Sequence, residues 1–360
     1  MATDKTHKIP NAPNLRFPGF EGGWKVDKIQ NLFTINVGGD IDKKDVVSKN
    51  DNDHPFVVVA NALSNNGVYG YTSTFKDDAP SITVTGRGDV GYAIYRDYPI
   101  YPIVRLLVLH SKGLLDCRFG QYAINNITIF NESTGVPQLT APQLGTYRIA
   151  FPQIDEQKKI SDFLALIDAR IQTQIGAINK HESLIKAIAG ELTCEGEKVR
   201  LADLVDCHSS TMQENDITND GPYPVYGATG ICGYTDSPMC KEDAIIIVKD
   251  GSGVGNIKFV SGGFSILGTL CYLTAKQDVS IGYVYCCLVN FDFSPYKTGM
   301  AIPHIYFKDY GKGIINMKSV AEQQRTRTLL FLLMDKLDVE RKLLAQYKLQ
   351  KQYLLSQMFV

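Results

Sequence analysis

The sequence predicts an α+β protein in which two β-rich domains are joined by two long antiparallel coiled-coil helices, with a pseudo-twofold internal repeat. Three observations predict this fold. One sequence pattern occurs twice in the 360 residues, each copy contains short runs of β-branched and aromatic residues, and each copy ends in a heptad pattern of apolar residues.

The two copies of the repeat align over most of their length. The segment TGVPQLTAPQLGTYRIAFPQIDEQKK, from Thr134, aligns without a gap with MAIPHIYFKDYGKGIINMKSVAEQQR, from Met300. The matched positions are Pro137 and Pro303, Gly145 and Gly311, Ile149 and Ile315, and Glu156-Gln157 and Glu322-Gln323. Upstream, GVYGYTST from Gly67 aligns with GICGYTDS from Gly230, and SITVTGRGDVG then aligns with AIIIVKDGSGVG. Each half is therefore expected to fold in the same way.

Apolar residues from Ile160 onward recur in alternating steps of four and three, which is the heptad seam of a coiled coil. The equivalent positions from Thr326 to Met358 repeat this seam, and polar Gln174 and Glu340 occupy matching places in it. Each helix is expected to span about 38 residues, or roughly 57 Å. The candidate residues for the helix seam and for docking of a partner protein are Leu164, Ile167, Ile171, Leu330, Leu333 and Leu337.

The predicted segments follow from these patterns. They are a first β-rich domain at 1–152, a first long helix at 153–193, a second β-rich domain at 194–318 and a second long helix at 319–360.

Composition limits the class of protein. Lys and Arg number 37 against 38 Asp and Glu, so the net charge of -1 does not by itself indicate a nucleic-acid partner, and any such partner would need a local basic face. The sequence contains no run of eighteen apolar residues, so it predicts no membrane span. Its polar N-terminus predicts no signal peptide. The eight cysteines form no CxxC pair, so we expect reduced thiols in a cytoplasmic protein.

Glycine-rich loops at 86–91 and 250–256 resemble nucleotide-binding loops, but neither is followed by Lys-Ser/Thr and neither opens a helix. No nuclease-type carboxylate pair, metal-ligand spacing or nucleophile–histidine set occurs, and FSPY at 293–296 lacks the second proline of an adenine methyltransferase loop. The sequence therefore predicts neither a catalytic residue nor a metal site. The loops are interpreted either as tight strand-to-strand turns or as places where the backbone approaches DNA.

Tyrosines cluster around these loops, with Asn65, Asn66 and Arg96 interleaved, and such side chains reach phosphates and base edges. Ordinary surface tyrosines of a β domain are the competing interpretation. The candidate DNA-binding residues are Tyr69, Tyr71, Arg87, Asp89, Tyr92, Tyr226, Tyr234, Lys249, Asp250 and Ser252.

PNLRFPGFEGGW near the N-terminus, PVYGATGICGY from Pro224, IIIVKDGSGVG and the Glu-Gln helix starts resemble the specificity subunits of type I restriction-modification systems. The resemblance implies two target-recognition domains that each read one half of an asymmetric bipartite site in double-stranded DNA. It also implies that the helices space the domains and dock two methyltransferase subunits, which restriction (motor-nuclease) subunits join. S-adenosylmethionine, ATP and Mg²⁺ would belong to those partners. The alternative is a coiled-coil scaffold whose β-rich domains bind protein or glycan.

Overall fold

The computed structural model describes residues 11–129, 138–218 and 220–360. Two compact units divide the chain: Met1–Thr173 with Leu344–Val360 form the first, and Gln174–Leu343 the second. Thr134 and Pro137 of the aligned repeat lie outside the described residues.

The first unit contains nine strands among its described residues. In chain order its elements are β1 (Lys25–Lys28), α1 (Ile29–Leu32), β2 (Phe33–Val37), β3 (Phe56–Val59), β4 (Val68–Thr72), β5 (Ser81–Val84), β6 (Ala93–Arg96), β7 (Ile100–Pro102), β8 (Leu107–Ser111), α2 (Cys117–Asn125), α3 (Ala141–Thr146), β9 (Arg148–Phe151) and the beginning of α4 (Ile154–Thr193).

The second unit repeats this order, beginning with the later half of α4. Its further elements are β10 (Glu197–Arg200), α5 (Leu201–Leu204), β11 (Val205–Ser209), β12 (Tyr223–Gly227), β13 (Gly230–Thr235), β14 (Ala244–Val248), β15 (Ile257–Val260), β16 (Ser265–Ile266), β17 (Leu270–Ala275), α6 (Ile281–Leu288), α7 (Phe307–Tyr310), β18 (Ile314–Met317) and the beginning of α8 (Val320–Met358), whose end from Leu344 onward belongs to the first unit.

The sheets of the two units have the same topology. A four-stranded sheet has the order β2-β8-β5-β6 in the first unit and β11-β17-β14-β15 in the second. A three-stranded sheet has the order β4-β3-β7 or β13-β12-β16, and its middle strand is antiparallel to one neighbour and parallel to the other. A two-stranded ribbon, β1-β9 or β10-β18, completes each unit. The predicted α+β fold and internal repeat are confirmed.

The aligned glycines of the repeat, Gly70 and Gly233, allow a close approach of two chain segments. A Cβ atom at Gly70 would lie 2.5 Å from Cγ1 of Val46, and one at Gly233 would lie 2.0 Å from Cγ2 of Ile217. In each unit the segment that precedes the three-stranded sheet packs directly on this glycine. The repeat conserves glycine here because a side chain would not fit.

The apolar run AIIIV of β14 is buried along its whole length. Ile245 and Ile247 contribute to one core cluster, whereas Ile246 and Val248 contribute to another on the opposite face of the sheet. Because neither face of this strand meets solvent, its sequence shows a continuous apolar run in place of alternation.

The core of the first unit includes the end of α8. Leu354 and Met358 pack in the same buried cluster as Leu164 of α4. The ring of Phe359 lies 5.2 Å from the ring of Phe119, stacked, and 5.9 Å from that of Trp24. Residues that are far apart in the sequence therefore close one hydrophobic core.

Helices α4 and α8 are 40 and 39 residues long, and side chains join them within each unit. In the first unit an ion pair connects Asp168 with Lys351 at 2.5 Å, and Arg170 lies 5.4 Å from the ring centre of Tyr347. Partner numbers fall on α8 as they rise on α4. The helices are therefore antiparallel, as predicted.

In the second unit the two matched polar seam positions meet directly. The amide of Gln174 donates to the backbone oxygen of Glu340 at 3.3 Å, and the Glu340 carboxylate lies 2.8 Å from Nδ1 of His181. Arg341 pairs with Glu182 at 2.7 Å. These polar contacts favour one register of the helices, because a shifted register would leave half-buried polar groups without partners.

The six predicted seam residues are all at least partly buried. Four of them are buried and two are half-buried: Leu164, Ile171, Leu330 and Leu337 are buried, and Ile167 and Leu333 are half-buried.

The Glu-Gln pair that begins α4 fixes the N-terminal segment to the helix. The carboxylate of Glu156 accepts two hydrogen bonds from the guanidinium of Arg16, each at 2.7 Å. The fully buried amide of Gln157 donates to the backbone oxygens of Leu114 and Pro152 at 3.2 and 2.8 Å. At the start of α8, Glu322 is exposed and accepts from the backbone amide of Ser319, so it acts as a helix cap.

We expect Leu164→Ala to lower the free energy of unfolding by about 2–5 kcal/mol, because a fully buried leucine leaves a cavity when it is truncated. Urea titration followed by circular dichroism measures the loss. Leu166→Ala is the matched control, since Leu166 is 70% exposed on the same helix and should change stability by less than about 0.5 kcal/mol. Equal losses in the two variants would contradict the assigned seam.

Candidate nucleic-acid interface

Both glycine-rich loops connect antiparallel neighbours of a four-stranded sheet. Residues 85–92 join β5 to β6, and residues 249–256 join β14 to β15. Gly88 and Gly91 in the first loop and Gly251 and Gly255 in the second have positive φ angles, which the tight turn requires. No helix follows either loop, so neither has the geometry of a nucleotide-binding loop.

In the first unit the amide of Asn61 holds the loop backbone beneath Arg87. Its Oδ1 accepts from the backbone amide of Gly86 at 2.6 Å, and its Nδ2 donates to the backbone oxygen of Arg87. The backbone oxygen of Gly86 accepts from the amide of Leu139 at 2.8 Å. The side chain of Arg87 is exposed on this fixed backbone.

Thr85 joins the two ends of the same loop through hydrogen bonds. Its backbone amide donates to the backbone oxygen of Tyr92 at 3.0 Å, its hydroxyl accepts from the Tyr92 amide at 2.9 Å, and the hydroxyl donates to the backbone oxygen of Asp89. The side chains of Arg87, Asp89 and Tyr92 are all exposed. One rigid loop thus presents a cation, an anion and an aromatic ring to solvent.

A buried arginine positions the turn that precedes β4. Arg96 is 2% exposed and donates to Oγ1 of Thr83, to the hydroxyl of Tyr98 and to the backbone oxygen of Asn66, the last at 2.7 Å. Asn65 and Asn66 adopt left-handed φ angles of 48° and 52° and are exposed. Arg96 is therefore a buried residue that stabilises the turn at Asn65 and Asn66, and its side chain is not accessible to a ligand. The two asparagines face solvent.

Sequence reasoning missed Arg105, which belongs to this surface. Arg105 is exposed, has a φ of 71°, and donates from a terminal nitrogen to Oε1 of Gln138 at 3.2 Å. Its backbone oxygen packs against Gly86, where a Cβ atom would lie at 2.3 Å. The only available signal was a single arginine within the apolar run PIVRLLVL. A strained backbone at an exposed cation is typical of functional loops.

In the second unit the loop is anchored by backbone contacts on two sides. The amide of Lys249 donates to Thr269 at 3.0 Å, and its oxygen accepts from Ile305 at 3.0 Å. The amide of Gly251 donates to Pro303 at 2.9 Å. Among the candidates on this loop, Ser252 is exposed, whereas Lys249 and Asp250 are half-buried.

The remaining candidates are tyrosines of the three-stranded sheets. Tyr69 on β4 and Tyr234 on β13 are exposed, and Tyr71 is half-buried. Tyr226 is only 9% exposed, because its ring packs in a core cluster with Phe264, and burial raises the pKa of its hydroxyl. Tyr226 is therefore placed as a core residue, and the other tyrosines retain surface for a ligand.

The described residues contain no group of three His, Cys, Asp or Glu side chains arranged to hold a metal ion. A search of the same residues finds no helix with the length and apolarity needed to cross a membrane.

We expect Asn61→Ala to lower the free energy of unfolding by about 1–3 kcal/mol, because the amide of the buried Gly86 loses its acceptor. Thermal unfolding measures this, and hydrogen exchange should report faster exchange of the amides at 86–91. Asn52→Ala is the control, since Asn52 is an exposed asparagine of the same unit outside the loop. Unchanged exchange at 86–91 would show that Asn61 does not hold the loop.

Comparisons of the sequence and of the structure with known proteins all indicate the same family. Residues 21–180 match the family described as type I restriction modification DNA specificity domain. The type I specificity subunit S.MgeORF438P of Mycoplasma genitalium is 22% identical over 366 aligned positions, which cover 93% of this chain and 94% of that protein. The C-terminal part of the Mycoplasma pneumoniae specificity subunit S.MpnORF289P is 35% identical over 94 residues.

That second alignment covers 26% of this chain and 65% of the relative, and the alignment with S.MpnORF507P of Mycoplasma pneumoniae covers 38% of each protein. The crystal structure of a type I restriction-modification S subunit from M. genitalium matches the fold with a TM-score of 0.70 at 19% identity, covering 97% of this chain and 99% of that one. The matched domain, the nearly full-length relative and the shared fold agree. Residues 21–180 therefore match a type I restriction modification DNA specificity domain, and nearly the whole chain is similar to type I specificity subunits in sequence and in fold.

Proposed function

We propose that this chain reads an asymmetric, two-part sequence in double-stranded DNA and performs no catalysis itself. The observation that carries the proposal is the duplicated module. Each unit has the same strand order and the same anchored hairpin loop, while the side chains presented by the two loops differ.

The anchoring of the loops supports a role in base readout. Base recognition requires side chains held in fixed positions, because each hydrogen bond to a base edge depends on its direction. The contacts of Asn61 and Thr85 fix the first loop, and the contacts of residues 249–251 fix the second. An arginine on such a loop can bind a guanine through two hydrogen bonds.

The two loops carry different side chains at the positions that we propose contact DNA bases. When β5 and β14 are aligned at their last residues, Arg87 corresponds to Gly251 and Tyr92 to Asn256. Modules with different donors and acceptors favour different bases, so we expect the two half-sites to differ.

The long helices support docking of methyltransferase subunits. Large apolar side chains remain exposed along both helices: Leu166 on α4, and Leu329, Leu332, Val339, Leu349 and Tyr353 on α8. Buried seam residues such as Leu164 and Leu330 hold the fold and are not accessible to a partner. Exposed apolar side chains repeated along a helix are typical of a surface that another chain covers. A relative's structure is described as showing complex assembly of the type I system, at a TM-score of 0.51.

Catalysis and its cofactors are assigned to those partners. We propose that S-adenosylmethionine, ATP and Mg²⁺ bind the methyltransferase and restriction (motor-nuclease) subunits. This assignment follows the sequence, which has no motif for any of the three.

Exchange of residues 1–150 for the matching domain of another specificity subunit should change one half of the target and leave the other half intact. The reason is that each module supplies its own loops. The variant is co-expressed with its methyltransferase subunit, and genomic methylation is mapped. Cells that contain this chain without the methyltransferase serve as the control and should show no methylation. A change in both halves would refute separate readout.

We expect Arg87→Ala to weaken recognition of the first half-site by about 1–3 kcal/mol, the contribution of a bidentate contact to guanine. Binding of the methyltransferase complex to targets with substitutions in each half-site measures the effect. Arg148→Ala is the control, since Arg148 is an exposed arginine of the same unit that lies on β9, outside the loop. Equal weakening on every DNA, including unrelated sequences, would place Arg87 on a phosphate instead of a base.

A further inference from the structure

A short hairpin in the second unit exposes two apolar side chains at its tip. Thr298 and His304 pair through reciprocal backbone hydrogen bonds of 2.9 and 2.8 Å, and the chain between them forms the tip. Met300 is fully exposed, and Ile302 is 67% exposed. Neither residue contributes to a core cluster of the unit.

Backbone contacts define the shape of the hairpin tip despite this exposure. Gly299 has a φ of 87°, and a Cβ atom there would lie 2.4 Å from the backbone oxygen of Ile302. Nδ1 of His304 lies 3.2 Å from the same oxygen. The tip therefore has a defined conformation, which is what a side chain needs if it is to insert into a ligand.

The base of the hairpin is attached to the glycine loop of the same unit. The amide of Gly251 donates to the backbone oxygen of Pro303 at 2.9 Å, and Asp250 forms a backbone bridge with His304. The exposed apolar tip and the loop that we assign to base readout thus form one continuous surface.

Cations and aromatic rings lie beside the tip. The ring of His304 lies 5.0 Å from the ring of Tyr306, and Nζ of Lys308 lies 5.3 Å from the centre of the Tyr306 ring. Lys297, at the base of the hairpin, is exposed. Exposed lysines and an aromatic ring beside an apolar tip fit a polyanion that also offers apolar stacked surfaces, which is the chemistry of duplex DNA.

We infer that Met300 and Ile302 form an apolar wedge that enters the base stack of the duplex at the half-site read by the second unit. This inference rests on the proposed function. Apolar side chains that insert between base pairs unstack one step and kink the duplex. Because pyrimidine–purine steps deform most readily, the wedge would favour such a step without any hydrogen bond to it.

The test uses the chain assembled with its methyltransferase subunits and duplexes that carry the target found by methylation mapping. 2-Aminopurine is placed at one position at a time through the second half-site and its flanks, since its fluorescence rises when a base unstacks. Energy transfer between dyes at the two duplex ends reports bending. The wild-type complex should raise the fluorescence at one step and bring the ends closer.

The double variant Met300→Ala/Ile302→Ala should abolish both signals, weaken target binding by about tenfold or more and relax the preference for the unstacked step, while the methylated sequence of the first half-site stays the same. Ile231→Ala/Met239→Ala is the matched control, because it removes an exposed isoleucine and methionine elsewhere in the same unit. That control should retain unstacking, bending and affinity.

Three other outcomes overturn the inference. If the wild-type complex binds its target without unstacking or bending, the wedge is wrong and the proposed function stands. If the wild-type complex binds no sequence preferentially, the proposed function fails and the wedge fails with it. If the double variant keeps its unfolding midpoint but no longer assembles with the methyltransferase, the tip is a protein contact.

Discussion

The first unit depends on a contact between residues that the sequence separates by almost its whole length. The end of α8 supplies Leu354, Met358 and Phe359 to the core that Trp24 and Phe119 line, and the amide of Leu15 donates to the backbone oxygen of Gln357 at 2.8 Å. Removing those apolar groups would expose the core of the module that carries Arg87. Packing of the helix end therefore maintains the loop surface as well as the helix pair.

The hairpin loops also depend on contacts with residues outside them. Their backbones are held by groups outside the loop, such as Asn61 in the first unit and Thr269 in the second. Since the anchors act on the backbone, the side chains at the exposed positions are free to differ. A scaffold of this kind permits new specificities to arise by exchange of a few exposed residues, without a change in the core.

Much of the fold could be predicted because it depends on local patterns. Heptad spacing predicted α4 and α8, and the aligned glycines predicted equivalent strands. The details of the surface could not be predicted, because they depend on tertiary neighbours. Tyr226 lies in the core because Phe264 packs on it, and Arg96 lies inside because the turn at 64–67 provides its acceptor. Glu156, which the sequence shows only as part of a repeated Glu-Gln pair, binds Arg16, a partner 140 residues away in sequence.

The shared core also constrains how the chain folds during its synthesis. A ribosome completes Met1–Thr173 long before it makes Leu344–Val360, which belong to the same unit. Until then, the core around Trp24 and Phe119 lacks Leu354, Met358 and Phe359, whereas Gln174–Leu343 is contiguous in sequence and is synthesised before them. The core of the first unit is therefore completed only after α8 has been made, which is a non-local closure of the kind that slows folding.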